Sequence, residues 1–164
     1  MYEYATCKRT EMPVLALIAW SITAIAGLYL LAIWLIEYDP DFQDAAATRL
    51  PVPVVCGHVL FAVGGLGSWV MYLVTEKRIY CWIGAGAMAL IVTLGFIMAI
   101  RWVGVYRARP RHAVGQAVRA PNAAVAVPPE RHFPVTGVVA HGFFAVITVV
   151  LVALTVLGAG RSLL

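Results

Sequence analysis

Charge is scarce in this chain. Of 164 residues, 12 are Lys or Arg and 8 are Asp or Glu, together 12%, against 62% apolar residues. Soluble domains carry about 25% charged and 45–50% apolar residues, so a soluble globular protein is excluded. Disorder is excluded as well, because disordered chains are rich in charge and poor in apolar side chains. Cysteine is sparse: Cys7, Cys56 and Cys81 are scattered and form no Cys-x-x-Cys pair, so no disulfide scaffold is encoded. There is no Gly-x-Ser-x-Gly, no His-Glu-x-x-His and no phosphate-binding loop, and hence no recognisable hydrolytic or nucleotide-binding constellation. No folded basic domain is left over to bind nucleic acid.

What the chain has in abundance is long apolar runs, with a mean hydropathy of +0.87. Residues 13–36, 51–75, 79–100 and 135–160 contain no charged side chain, and all 20 charged residues lie outside them. A helix needs about 20 apolar residues to cross the hydrocarbon of a bilayer, so each run qualifies. The reading is an all-α integral membrane four-helix bundle, one membrane domain spanning residues 1–164. Pro13, Pro51 and Pro134 stand at or beside the first turns, where a missing N–H is harmless. Trp34, Tyr72, Tyr80, Trp82, Trp102 and Tyr106 gather near run ends as interfacial aromatics, and only Trp20 and Trp69 lie deeper. Ala19, Thr23 and Gly27 in the first run, and Gly84, Ala85 and Ala89 in the third, form stripes of small residues of the kind that let helices approach closely. The first run exceeds the apolar core of a signal peptide and is read as retained.

The connections differ in charge. Residues 37–50 are acidic, Glu76-Lys77-Arg78 is a tight turn, and residues 101–134 are long, basic and rich in Ala, Pro and Val. With the termini outside, the inner side carries seven Lys and Arg; with the termini inside, it carries five. The positive-inside rule counts these residues and therefore places loops 37–50 and 101–134 in the cytoplasm of a multi-pass cell-membrane protein.

The second and fourth runs repeat each other at an offset of 83, with seven identities in thirteen positions: Pro51/Pro134, Val52/Val135, Val55/Val138, His58/His141, Phe61/Phe144, Ala62/Ala145 and Val63/Val146. Both runs cross in the same direction, so the chain reads as two helical hairpins in parallel repeat. The first and third runs show no match of that kind. Each histidine lies about 10 Å into its helix at 1.5 Å per residue, so the two sit at one depth, on the side of the first and third loops. An ionisable residue inside a membrane is a functional-site candidate by default. The helix face of His58 carries Ala62 and Gly65, and that of His141 carries Ala145 and Thr148. Small residues there suit a flat ligand. Haem iron takes axial histidine, and the arginines of the long loop lie on the same side, where they can meet propionates. Cys56 and His58, two apart, point to different faces and make no soft-metal site.

Paired intramembrane histidines in a four-helix bundle resemble the cytochrome b561-type and related di-histidine membrane b cytochromes. The resemblance covers residues 51–73 and 134–156, and rests on His58 and His141. It implies one haem b with these two as axial ligands, and a small electron-transfer or anchor subunit working with a quinone or membrane redox partner, in a homo- or hetero-oligomer. The rival expectation is a non-enzymatic accessory protein bound to another membrane complex, its histidines serving as packing hydrogen bonds. A channel or transporter is less well matched, since no broken helix or polar stripe is seen.

Overall fold

The computed structural model describes residues 2–38, 50–107 and 128–161. They form four helices, α1 (Tyr2–Glu37), α2 (Val52–Thr75), α3 (Arg78–Arg107) and α4 (Val135–Arg161), with a short 3₁₀ turn, Pro129–His132, ahead of α4. Each helix holds a stretch long and apolar enough to cross a membrane: Glu11–Glu37, Val52–Thr75, Arg78–Arg107 and Val135–Gly158. The protein is an all-α, multi-pass membrane bundle. Most of loops 37–50 and 101–134 lies outside the described residues.

Helix starts follow the prolines where expected on α2 and α4. The carbonyls of Pro51 and Pro134 accept the first helical bonds, from Val55 and Val138 respectively, each at 3.1 Å. The first helix departs from the expectation. It begins at Tyr2, so Pro13 lies in its interior. The helix continues through it, although proline removes one N–H from the ladder. The third helix also overruns its apolar stretch and ends at Arg107. No proline interrupts it before Pro110, so Arg101 and Arg107 stand on exposed faces of its last two turns instead of in a loop.

The molecule is apolar on both its outside and its inside. Ile25, Leu60, Val63, Phe96, Val139 and Phe143 all point outward, as lipid-facing residues must. Two buried clusters fill the interior. The larger, around Ala16, Trp20, Trp69, Cys81, Met88 and Val152, lies toward the α2–α3 turn. Trp69 is its centre: fully buried, 6.1 Å from the Trp20 ring, and donating its indole N–H to Pro13 O at 3.0 Å. The smaller joins Trp34, Leu50 and Val55 with Leu31, Tyr38, Met98 and Phe133 at the opposite end. Trp34 is thus buried in the core and is not part of an interfacial belt.

Packing divides the bundle into two pairs. α2 lies closely along α3, and α1 along α4; the contacts of α1 with α2 and of α3 with α4 are much slighter. Among the described residues, α2 and α4 make no close backbone contact, and neither do α1 and α3. Each of these couples therefore sits on a diagonal. This pairing is the one that a parallel repeat of two helical hairpins requires, with α1 corresponding to α3 and α2 to α4.

Glycines mark the closest approaches within and between the pairs. A methyl group on Gly65 would lie 2.9 Å from the Ala87 methyl and 3.0 Å from the Trp20 ring, whereas one on neighbouring Gly64 would meet nothing. Gly65→Ala is therefore expected to destabilise the folded bundle by about 1–3 kcal/mol through overpacking. Gly64→Ala should be neutral, or stabilising by up to about 1 kcal/mol through helix propensity. Thermal unfolding in detergent measures both; equal shifts in the same direction would refute the packing assigned to Gly65.

Candidate functional site

His58 and His141 project from the diagonal helices α2 and α4 and meet across the interior. Their ring centres are 6.3 Å apart, with planes inclined at 60°. The histidine spacing read from the sequence thus brings the two rings together, as matched depth on parallel helices requires. Each ring is anchored on the helix that its own helix packs against. His58 Nδ1 lies 3.1 Å from Ile91 O on α3, and His141 Nδ1 lies 3.0 Å from Thr23 O on α1. A carbonyl only accepts, so each Nδ1 carries the proton and donates. That tautomer leaves Nε2 as the nitrogen with a free lone pair.

The anchoring carbonyls belong to intact helices, and a side chain one turn further on would block the ring. That position is glycine in both cases. A methyl group on Gly95 would lie 3.1 Å from His58 Cε1, and one on Gly27 would lie 3.0 Å from His141 Cε1. Neither Nε2 has a hydrogen-bonding partner among the described residues. No fully buried side-chain nitrogen or oxygen among those residues goes unpartnered, so both Nε2 atoms border accessible surface.

These anchors reveal the missing half of the repeat. Thr23 and Gly27 on α1 correspond to Ile91 and Gly95 on α3, an offset of 68. In that register Ala19 falls on Ala87, Trp34 on Trp102 and Tyr38 on Tyr106. Both aromatic couples pack together, Trp34 on Tyr38 at 4.9 Å and Trp102 on Tyr106 at 5.4 Å. The sequence signal was a shared Gly-x6-Trp-x3-Tyr. It escapes a search at the offset of α2 and α4, because the connecting segments differ in length.

The other residues of the expected face divide into two groups. Ala62 and Ala145, one turn beyond the histidines, are half-buried. Gly65 is taken up by its contact with Ala87 and Trp20. Thr148 is fully buried; its hydroxyl donates to Phe144 O at 2.8 Å and lies 3.1 Å from the Thr23 hydroxyl. His132 lies apart from the pair, half-exposed and 3.5 Å from the Glu37 carboxylate. His112 is outside the described residues.

The chemistry open to the pair is narrow. Among the described residues, no group of three or more His, Cys, Asp or Glu side chains could hold a metal ion. Two imidazoles complete a site only for an ion whose remaining positions arrive with its ligand. Two imidazoles binding one ion at about 2 Å from opposite sides would have ring centres about 6 Å apart, and the observed separation is 6.3 Å. The separation of the rings is compatible with both imidazoles reaching one ion. No protein-family model, no curated protein and no solved structure matches the chain.

Anchoring predicts a selective response to bulk. Gly27→Leu should displace the His141 ring from Thr23 O and leave His58 in place; Gly95→Leu should do the reverse. Histidine ring-nitrogen NMR of the detergent-solubilised protein reports the tautomer of each. Two unchanged Nδ1–H signals in either variant would contradict the contact.

Proposed function

We propose that the protein is a small b-type cytochrome of the membrane, an electron-transfer or anchor subunit that holds one haem b between His58 and His141. The observation that carries this reading is the meeting of two half-buried imidazoles on diagonal helices, both with Nδ1 committed to a backbone carbonyl. Haem ligated in this way supplies a one-electron couple whose potential depends on burial and on hydrogen bonds to the ligands. The chain's own part is to fix two rings. Donation from Nδ1 selects the tautomer, orients each imidazole and raises its basicity, as outer-shell acceptors do for metal-bound histidine. Gly27 and Gly95 admit the rings, and Ala62 and Ala145 keep the helix faces beside them low. Arg101 and Arg107 at the end of α3 and Arg131 ahead of α4 lie on the histidine side, where propionates would emerge. A quinone or a membrane redox partner is the proposed electron donor or acceptor. The resemblance to di-histidine membrane b cytochromes points the same way.

A second reading has its own support. The same two Nδ1 contacts are interhelical hydrogen bonds, and such bonds stabilise membrane bundles by about 0.6–2 kcal/mol each. An accessory protein without cofactor would use them in that way, with its exposed apolar faces against another membrane complex. The visible spectrum of the purified protein separates the two. Haem ligation requires a Soret band and a reduced α band in the wild type and in His132→Ala. Both bands should be lost, or reduced to high-spin residues of them, in His58→Ala and in His141→Ala. A colourless wild type reconstituted with haemin to no effect would leave the accessory reading.

For orientation we propose that the histidine side faces the cytoplasm, on the excess of Lys and Arg there. Two of those seven, Arg101 and Arg107, lie along the exposed end of α3. A reporter enzyme active only outside the cell, fused within residues 114–125, should be silent. Strong activity would place the histidine side outside.

A further inference from the structure

Glu130 is the fully buried acid of the described residues, and the site described above makes no use of it. It sits in the 3₁₀ turn Pro129–His132, which packs on α1 and α3 at the histidine end of the bundle. Its side-chain Oε1 accepts a hydrogen bond from Leu50 N at 3.2 Å, and its main-chain carbonyl accepts one from Phe133 N at 3.4 Å. Those two donors are equivalent. Leu50 precedes Pro51 as Phe133 precedes Pro134, at the same offset of 83 that relates the histidines. Both side chains enter the same apolar cluster with Trp34 and Val55. From each donor to its histidine is eight residues, Leu50 to His58 and Phe133 to His141.

We infer that Glu130 is a positioning residue: it joins the entry amides of α2 and α4 and thereby sets the depth at which His58 and His141 face each other. The need for such a joint follows from the packing. α2 and α4 lie on a diagonal without close backbone contact, and among the described residues the ring contact of the two histidines joins them, so their own surfaces do little to hold one in register with the other. A slip of one residue along a helix moves a side chain by 1.5 Å in depth and by about 100° around the axis, which would part the rings. The N-terminus of α2 favours this arrangement. Pro51 and Pro53 have no N–H to donate, so the Leu50 amide is the outermost donor left at that helix end, where the helix dipole favours a carboxylate. That the joint serves a bound ligand rests on the haem reading; that it registers the histidines does not.

The test separates the two claims. In the full-length protein carrying Cys7→Ser, Cys56→Ser and Cys81→Ala, Ala62→Cys and Ala145→Cys, at equivalent half-buried positions one turn beyond the histidines, introduce one thiol on each diagonal helix and keep both imidazoles. A short bifunctional thiol reagent then reports their register without any cofactor. Glu130→Gln keeps an acceptor oxygen and should cross-link like the parent. Glu130→Ala removes it, and cross-linking should fall about fivefold, the change that the loss of one ordinary hydrogen bond makes in an equilibrium. Equal cross-linking in Glu130→Ala and the parent overturns the proposal. Should Glu130→Ala not accumulate, Glu130→Asp takes its place: its carboxylate is one methylene shorter, and the same fall is expected and the same equality overturns. Without the added cysteines, the spectra of Glu130→Gln and Glu130→Ala provide the second readout. A low-spin spectrum retained in Glu130→Gln and lost in Glu130→Ala supports the joint in its ligand-holding role. A wild type without haem, together with a fall in cross-linking, defeats the haem reading and upholds the joint.

Discussion

The structure depends on a hydrogen bond from an imidazole to a backbone carbonyl of a neighbouring helix. In a bilayer no water takes up a stray N–H, so a polar ring inside the span must find its partner in protein. The partners here are Ile91 O and Thr23 O. To reach a helix carbonyl, a ring must lie against the helix backbone, which requires glycine one turn on and a short distance between the two helices. Gly95 and Gly27 meet the first requirement, and the close packing of α2 on α3 and of α4 on α1 meets the second. The division into two tight pairs, the slighter contact between them and the free Nε2 on each ring all follow.

Other interior polar groups are settled close to home. Ser21, Thr23, Thr148 and Thr155 each donate to the carbonyl four residues earlier. Such bonds satisfy a hydroxyl without specifying a neighbour. The bonds that tie one element to another are few and placed at different depths. Ser68 to Tyr80 O and Trp69 to Pro13 O lie toward the α2–α3 turn, the histidines toward the other end, and Glu130 to Leu50 at the limit of the span. Lipid tails are as apolar as leucine, so the hydrophobic effect does not choose between helix arrangements, and close packing and polar links of this kind must.

Much of the bundle was open to a reader of the sequence. Four charge-free runs, each bounded by charge, leave little choice of fold, and a proline-to-histidine spacing repeated on two parallel helices leaves little choice of histidine depth. What escaped reading depends on partners distant in the chain. A proline looks like a helix start until the preceding turn is seen to be helical, as it is at Pro13. An arginine looks like a loop residue until the helix is seen to run on to Arg107. Trp34 looks interfacial because it stands at a run end, yet Leu50 and Tyr38 cover it. Gly27 and Gly95 carry no chemistry of their own, and only the imidazoles lying on them show their purpose. The acceptors on α1 and α3 are main-chain atoms, which no residue type announces.

The two halves share the anchoring of their histidines and differ in polarity on the neighbouring helix. Where α1 and α4 set the Thr23 hydroxyl against that of Thr148, the equivalent positions on α3 and α2 are Ile91 and Gly65. In a symmetric homodimer each position acts twice, and a hydroxyl placed on one side of the axis is necessarily placed on the other. A single chain is free of that constraint. Here the freedom is used at the centre: one histidine has a polar neighbour and its counterpart an oily one, so the repeat that equates the two in anchoring does not equate them in dielectric surroundings. The two imidazoles are therefore inequivalent, although one repeated pattern supplies both.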